Sequence, residues 1–276
     1  MEIWRLIPFA RHDPFENMAI DEALFRIHQK ERKPPVLRLY GWKGPAVSLG
    51  YFQDVAEELN YGYCRDRGIT VVRRPTGGKA VLHADDLTYS LVARESSPLF
   101  STDVVETYRI ISGCIVRGLA VAGIDAHMVE EGRNETPSGN GFCFATSYRH
   151  ELLAGGKKIC GSAQMRARGV FLQHGSVLVD LDPLAVSSAI GKTGDIEMRA
   201  REIATVVTSV REAAGEAVGM GDLCRAVAAG FEDVLHVRLA EGTLSPEEDA
   251  LKEKLLADKY SRDEWNLKGW NDRRGS

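Results

Sequence analysis

The chain has 276 residues, of which 44% are hydrophobic and 27% charged, so it can bury a sizeable core in one large domain, with or without an appendage. Its formal net charge of -4 gives no global basic field for nucleic acid or an anionic membrane, and we expect neither as a partner. The five cysteines are scattered and include no Cys-x-x-Cys pair, which argues against a disulfide framework and a structural zinc site.

The first predicted element is a helix over residues 14–30. Asp13 is placed to cap it, Pro14 suits its first position, and Glu16 would complete a capping box. No basic region followed by a long apolar stretch precedes it, and no later segment approaches the roughly 18 apolar residues of a membrane span. We therefore expect a cytoplasmic protein.

Short strands and helices follow this first helix. The alternating segment "LTYSLVAR" predicts a half-buried antiparallel strand at residues 87–94. The other elements predicted before the middle of the chain are strands at residues 36–42, 46–52 and 69–74, a short helix from Asp54 to Arg67, and a helix within residues 101–123.

The second half begins with a polar loop at residues 127–141, long enough to be functional. Beyond it, Gly155-Gly156 predicts a tight hairpin, because both residues accept positive φ, and Gly169 predicts a second turn. Helical patterns follow at residues 220–237 and from a capping box at Ser245 to about Tyr260. With prominent hairpins and no repeating βαβ run, the fold class is α+β with a mixed, largely antiparallel sheet flanked by helices.

Two segments combine lysines with glycine-containing turns. In "RRPTGGKAVLH", the glycines would let the backbone approach a ligand, and Arg73, Arg74 and Lys79 add positive charge. The spacing is not that of a Walker loop, and an ordinary turn with solvated basic side chains stays open. In the hairpin, strict alternation would pair Lys157 with Ile159 on one face and place Lys158 with Cys160 on the other.

Cys143 lies in "GFCFA", where an extended backbone would turn it away from its two flanking phenylalanines. A nearby lysine would lower the pKa of such a thiol and make it a nucleophile, whereas burial as a small core residue is an equally open alternative. The histidines His83, His150 and His174 are candidates for a base, although no spacing pairs one of them with the cysteine.

Five segments in order, "NMAIDEAL", "RRPTGGKAVLH", "LTYSLV", "GKKICGSAQ" and "LQHGSVLVDLD", resemble the biotin/lipoate protein ligase and transferase superfamily. The resemblance covers nearly the whole chain and is closest to the octanoyltransferases of lipoate assembly. It implies a catalytic domain over residues 1–240 with a short helical extension over 241–276. It also implies that the glycine loop and a lysine-bearing strand line a tunnel for a medium acyl chain.

The implied reaction moves octanoyl from acyl carrier protein to the lysine of an apo lipoyl domain such as the glycine cleavage H protein. In this resemblance Cys143 matches the acyl-accepting nucleophile and Lys158 the active-site lysine. The residues expected to bind substrate are Arg74, Thr76, Gly77, Gly78, His83, Gly161 and Ser162. A monomer that needs no metal or cofactor is expected, and Arg73, Arg74 and Lys79 are expected to meet the acidic carrier protein.

Two related activities are the main alternatives. An ATP-dependent lipoate or octanoate ligase commonly has a third glycine where this chain has Lys79, and His-Asp where it has His83-Ala84. An amidotransferase between lipoyl domains would differ only in its donor. A non-catalytic acyl-binding member would be expected to lack Cys143 or Lys158, and both are present.

Overall fold

A computed structural model of the protein describes residues 1–129, 151–191, 194–214 and 218–268. Its strands are β1 (Ile3–His12), β2 (Val36–Trp42), β3 (Ala46–Leu49), β4 (Thr70–Arg73), β5 (Val81–His83), β6 (Asp86–Arg94), β7 (Ala126–Met128), β8 (Leu152–Ala154), β9 (Lys157–Ala167), β10 (Val170–Leu178) and β11 (Arg238–Glu241). Its helices are α1 (Pro14–Lys30), α2 (Val55–Glu58), α3 (Tyr61–Asp66), α4 (Val104–Val121), α5 (Pro183–Ala189), α6 (Ile196–Val206), α7 (Val210–Ala214), α8 (Met220–Leu235), α9 (Pro246–Leu255) and α10 (Asp263–Asn266), with a π-helical turn at Leu256–Tyr260.

The strands form two sheets. Within the described residues, the larger has eight strands in the order β11-β1-β2-β6-β10-β9-β8-β7, and only the pairs β1/β11 and β1/β2 are parallel. The smaller has the order β4-β3-β5, with β3/β4 parallel and β3/β5 antiparallel. The predicted α+β class with a mixed, largely antiparallel sheet is therefore confirmed.

Helices cover both faces of the large sheet. On one face α4 and α8 pack over a core that includes Tyr89 and Phe171. On the other face α1 packs over β6 and β10 through a cluster that includes Leu24 and Leu172. Among the described residues no helix is long and apolar enough to cross a lipid bilayer. The strands β6 and β10 thus lie between two helical layers.

Local signals placed several elements correctly. Asp13 caps α1 by accepting from the N–H of Phe15, although Glu16 pairs with His12 rather than closing a capping box. Gly155 and Gly156 take φ values of +56° and +80° in the β8–β9 hairpin, because a two-residue turn of this hand requires positive φ at both positions. The capping box at Ser245 is also present.

The half-buried exposure predicted for the strand at residues 87–94 is wrong. In β6 every residue from Asp86 to Ala93 is buried, on both faces. The polar side chains on its second face contact other buried polar groups: Thr88 donates to Asp86 and accepts from Trp42, while Ser90 donates to Asp21. Alternation of polar and apolar residues therefore marks a buried polar network in this strand, where a solvated face was expected.

Candidate active site

The glycine loop, residues 74–80, connects β4 to β5. The side chain of its first residue, Arg74, fixes the loop through hydrogen bonds. The Arg74 guanidinium donates to the carbonyl oxygen and hydroxyl of Ser48, both at 2.7 Å, and to the carbonyls of Gly77 at 3.1 Å and Lys79 at 2.9 Å. Burial lowers the pKa of Arg74 to about 10, so the group stays charged at neutral pH. Arg74 therefore braces the loop by bonding its backbone.

The expectation that Arg73 and Arg74 meet an acidic carrier protein is wrong. Both side chains are buried, with relative exposures of 0% and 6%, and their guanidinium groups bond to the chain's own carbonyls. Carbonyl oxygens around a guanidinium satisfy donors that burial removes from water. Lys79 is half-buried and has a partner of its own. The two arginines therefore bind the chain's own backbone: Arg74 bonds to the loop, and Arg73 bonds to segments that pack beside it.

Thr76 joins the glycine loop to the large sheet. Its hydroxyl lies 2.7 Å from Nε2 of His174 on β10, and Nδ1 of His174 lies 3.2 Å from a carboxylate oxygen of Asp21 on α1. The Asp21 carboxylate accepts hydrogen bonds, so Nδ1 carries the proton and Nε2 accepts from Thr76. Burial lowers the pKa of His174, which favours this neutral form. Asp21 on α1 thus fixes the Thr76 hydroxyl through His174.

Gly77 and Gly78 offer backbone donors at the top of the loop. Gly78 has a φ of +92°, and neither N–H group donates to an acceptor in the described part of the chain. The loop is also closely packed on its neighbour, since a Cβ placed on Gly50 would lie only 1.9 Å from the carbonyl oxygen of Gly78. Two amide donors are therefore presented by a backbone whose position is tightly fixed.

His83 lies below the loop in a second polar network. Its Nδ1 donates to Asp86 at 3.0 Å, its Nε2 lies 2.7 Å from the Ser48 hydroxyl, and its ring stacks on Trp42 with centroids 4.0 Å apart. Burial raises the pKa of Asp86, but His83, Ser176 and Thr88 together hold it below its usual value. Because Arg74 also donates to Ser48, His83 supports the same loop; its expected contact with substrate stays a prediction.

The strand β9 contains a β-bulge that decides which way Lys158 points. Leu152 pairs with Cys160 whereas Leu153 pairs with Lys158, so Ile159 has no partner of its own on β8. Ile159 and Cys160 consequently both enter the core beneath α4 and α8. An extra residue in a strand reverses the alternation on its far side.

The prediction that Lys158 shares a face with Cys160 is therefore wrong. A Cβ placed on Gly161 would lie 3.2 Å from Cε and 3.4 Å from Nζ of Lys158. Gly161 pairs with Ser176, which binds Asp86, and the next residue on this face, Ala163, lies 3.5 Å from the Cβ position of Gly78. The bulge thus turns Lys158 toward the glycine loop.

Glu151 holds the ammonium group of Lys158 in this position. The two side chains form an ion pair, with 17% of Lys158 and 11% of Glu151 exposed. The backbone of each is also fixed: the carbonyl of Lys158 accepts from Thr208, and that of Glu151 accepts from Val129. Sequence reasoning missed Glu151, although the hairpin register centred on the two glycines was the signal that could have placed it.

Gly161 and Ser162, which the sequence grouped together, lie on opposite faces of β9. Ser162 pairs with Gly175, and its hydroxyl lies 2.7 Å from the hydroxyl of Tyr89 on the α4–α8 side. Burial raises the pKa of Tyr89. Of these two candidates, Gly161 shares the face of Lys158 and the glycine loop.

Cys143 lies outside the described residues. The other four cysteines are Cys64, Cys114, Cys160 and Cys224, and burial raises the pKa of each thiol, to about 11 in Cys64 and Cys224 and to about 12 in Cys160. A thiol of raised pKa and little exposure is a poor nucleophile at neutral pH. None of the four described cysteines is therefore suited to covalent catalysis.

Comparison with known proteins gives one consistent result. The family model described as "Lipoyl protein ligase A/B catalytic domain" matches residues 13–232. Octanoyltransferase LipM of Kyrpidia tusciae is 43% identical over 275 residues, which cover 97% of this chain and 100% of that protein. Octanoyltransferase LipM of Brevibacillus brevis is 37% identical over 276 residues, with 97% and 100% covered. A solved bipartite lipoate protein ligase of Thermoplasma acidophilum, described with its E2 lipoyl domain, aligns with a TM-score of 0.82 at 27% identity over 97% of this chain and 96% of that one.

Proposed function

This chain belongs to the lipoyl protein ligase A/B catalytic domain family, and from its similarity to two octanoyltransferases we propose that it is an octanoyltransferase of lipoate biosynthesis. Its donor would be octanoyl-acyl carrier protein, and its acceptor the lysine of an apo lipoyl domain, the glycine cleavage H protein above all. The observation that carries the proposal is the convergence of Lys158 and the glycine loop on one face of β9, in a chain that is 43% identical to an octanoyltransferase over 97% of its residues.

In the first half-reaction the Cys143 thiolate attacks the carbonyl carbon of the octanoyl thioester. A carbon–sulfur bond forms to Cys143, the bond to the carrier's sulfur breaks, and the carrier leaves as a thiolate that takes up a proton. The ammonium group of Lys158 favours the attacking thiolate, because a nearby cation lowers the pKa of a cysteine thiol. Since one thioester replaces another, this exchange needs no ATP.

In the second half-reaction the acceptor lysine attacks as a neutral amine. Its nitrogen bonds to the octanoyl carbon, the Cys143 sulfur leaves as thiolate, and the nitrogen releases a proton to give the amide. Both half-reactions pass through a tetrahedral intermediate with a negative oxygen. The N–H groups of Gly77 and Gly78 are the donors that we assign to this oxygen, and losing one donor of this kind typically costs about 10²–10³-fold in rate.

An ATP-dependent ligase is the second candidate, because the similar structure from Thermoplasma acidophilum is a lipoate protein ligase. Such an enzyme would activate a free acid and would not need an acyl-enzyme. Support for the transferase over the ligase comes from the two octanoyltransferases, which match at higher identity, over 97% of this chain and 100% of each relative. An amidotransferase between lipoyl domains would share the Cys143 thioester and differ in its donor.

A transfer assay separates these candidates. Purified protein is mixed with octanoyl-acyl carrier protein and apo H protein without ATP, and the H protein is weighed by intact mass. We expect octanoylated H protein under these conditions and no product from free octanoate. We also propose that the enzyme is a cytoplasmic monomer that needs no cofactor. Product that appears only with octanoate and ATP would identify a ligase. Product that appears only from an octanoylated lipoyl domain would identify an amidotransferase, and apo dehydrogenase domains in place of H protein would define the acceptor range.

A further inference from the structure

Arg73 is wholly buried beside the glycine loop, yet much of its hydrogen bonding comes from the far end of the chain. Its guanidinium donates to six backbone carbonyls, three in the segment after β3 and three around α10. Their distances are 3.0 Å to Gly50, 3.4 Å to Tyr51, 2.6 Å to Gln53, 3.0 Å to Trp265, 3.2 Å to Asn266 and 3.1 Å to Lys268. The Arg73 side chain therefore joins the terminal segment, residues 259–268, to residues 50–53 after β3.

Trp265 and Asn266 also bond to the backbone of Arg73. The N–H of Arg73 donates to Oδ1 of Asn266 at 3.1 Å, and the indole N–H of Trp265 donates to the carbonyl of Arg73 at 3.1 Å. The amide group of Asn266, which is 1% exposed, donates in turn to the carbonyls of Tyr260 at 2.7 Å and Arg262 at 3.1 Å. The terminal segment thus extends the edge of β4 with side-chain groups in place of a neighbouring strand.

The terminal segment is itself fixed to α1. Lys259 donates to the carboxylate of Glu22 at 2.6 Å, and the hydroxyl of Tyr260 donates to the same carboxylate. Burial raises the pKa of Glu22, but these two partners and Arg26 hold it below its usual value. The ammonium group of Lys259 also lies 3.6 Å from the ring centroid of Trp265. Through Lys259, the helix α1 therefore helps to fix the position of the Trp265 ring.

Two backbone contacts connect Arg73 and its partners with the glycine loop. The N–H of Tyr51 donates to the carbonyl of Thr76 at 2.8 Å, and the N–H of Arg74 donates to the carbonyl of Leu49 at 2.8 Å. Because Gly50 also lies close to Gly78, the loop cannot shift far unless Gly50 and Tyr51 move with it.

We propose that Trp265 and Asn266 are positioning residues for the glycine loop: through Arg73 they fix the backbone of Thr76, Gly77 and Gly78 opposite Lys158. The family model ends at residue 232, so this role falls to a part of the chain beyond the matched catalytic domain. The proposal rests on the proposed function in one respect, namely that the loop donors act on the acyl carbonyl. A misplacement of about 1 Å in a catalytic group can cost about 10²-fold in rate.

The variants that test this role are Asn266→Ala, which removes the acceptor for the Arg73 N–H, and Trp265→Phe, which keeps an aromatic ring and loses the indole donor. The matched control is Arg262→Ala, because the exposed guanidinium of Arg262 contacts only the carbonyl of Ala257 among the contacts described. Three quantities are measured: hydrogen exchange of the peptide that spans the glycine loop, iodoacetamide alkylation of Cys143, and octanoylation of Cys143 by octanoyl-acyl carrier protein.

We expect exchange in the loop to be about 10-fold faster in Asn266→Ala and Trp265→Phe, with Cys143 alkylated as fast as in the unaltered protein. Octanoylation should fall about 10-fold to 100-fold, since alkylation needs only the thiolate and octanoylation also needs the loop donors. The control should change none of these. Unchanged exchange in a folded variant overturns the proposal, and so does a proportional fall in alkylation and octanoylation. If Asn266→Ala does not fold, Trp265→Phe decides.

The proposed function fails separately, in the unaltered protein. If that protein is not octanoylated at all, the transferase assignment is wrong, and the exchange measurement still shows whether the terminal segment positions the loop.

Discussion

Replacing Lys158 with methionine is expected to slow octanoylation of Cys143 about 30-fold or more at pH 7 while the protein stays folded. The reason is that a free cysteine without a cationic neighbour is only a few per cent thiolate at this pH. The expectation depends on the β-bulge, which turns Lys158 onto the face of Gly161 and the glycine loop. The rate of Cys143 alkylation by iodoacetamide is followed from pH 5 to pH 10, and the midpoint of its increase reports the pKa of the thiol. In the variant we expect this midpoint to move up to the ordinary thiol pKa of about 8.5.

Lys157→Met is the matched control for this variant. Lys157 is the preceding residue of the same strand, but it pairs with Glu212 at 2.8 Å, whereas Lys158 pairs with Glu151. The control should keep both the octanoylation rate and the alkylation profile. Equal losses in the two variants, or an alkylation profile in Lys158→Met that matches the unaltered protein, would contradict the role of Lys158 as the cation that activates the thiol.

Replacing Asp21 with asparagine should lower the free energy of unfolding by about 3–5 kcal/mol, the usual cost of removing one partner of a buried ion pair. Asp21 is wholly buried and accepts from Arg38 and Ser90 at 2.8 Å, from Tyr40 at 2.9 Å and from His174 at 3.2 Å. Without its charge, the buried guanidinium of Arg38 loses its counter-ion. Urea unfolding followed by circular dichroism measures the change.

Ser90→Ala serves as the control, because it removes one donor to the same carboxylate and leaves the ion pair intact. Its expected cost is smaller, about 1–2 kcal/mol. A loss in Asp21→Asn no larger than that in Ser90→Ala would show that the charge of Asp21 does not stabilise the fold.

The same carboxylate predicts a dependence of stability on pH. Burial raises the pKa of Asp21, but His174, Arg38 and Ser90 together hold it below its usual value. Its stabilising contribution is therefore complete above the unfolded pKa of about 3.9 and is lost as the pH falls through the lower folded value. Asp21→Asn should lack this part of the acid destabilisation.

The elements that the sequence predicted best are those with strong local signals. The capped helix α1 begins at the predicted Pro14, and the β8–β9 hairpin turns at Gly155 and Gly156, since the residues that fix these backbones are next to one another in the chain. The family resemblance supplied the expectation that the glycine loop and the lysine-bearing strand β9 lie together.

Features that depend on distant residues could not be predicted from the sequence. Arg73 and Arg74 looked like solvated cations, and only the fold supplies the carbonyls that bury them. Strict alternation placed Lys158 with Cys160, because the unpaired Ile159 becomes visible only when β8 and β9 are aligned. Asp21, within the apolar stretch "MAIDEALF", carried a signal in the form of a charge on a buried helix face, but its partners lie on three strands of the large sheet.

The proposed reaction requires Cys143 to carry the octanoyl group as a thioester. The most direct measurement is the intact mass of the protein after incubation with octanoyl-acyl carrier protein, without ATP and without an acceptor, in the unaltered chain, in Cys143→Ser and in the control Cys160→Ser. We expect one octanoyl adduct in the unaltered chain and in Cys160→Ser, removable by neutral hydroxylamine as thioesters are, and none in Cys143→Ser. An adduct that persists in Cys143→Ser, or one that forms only when ATP is added, would contradict this role of Cys143.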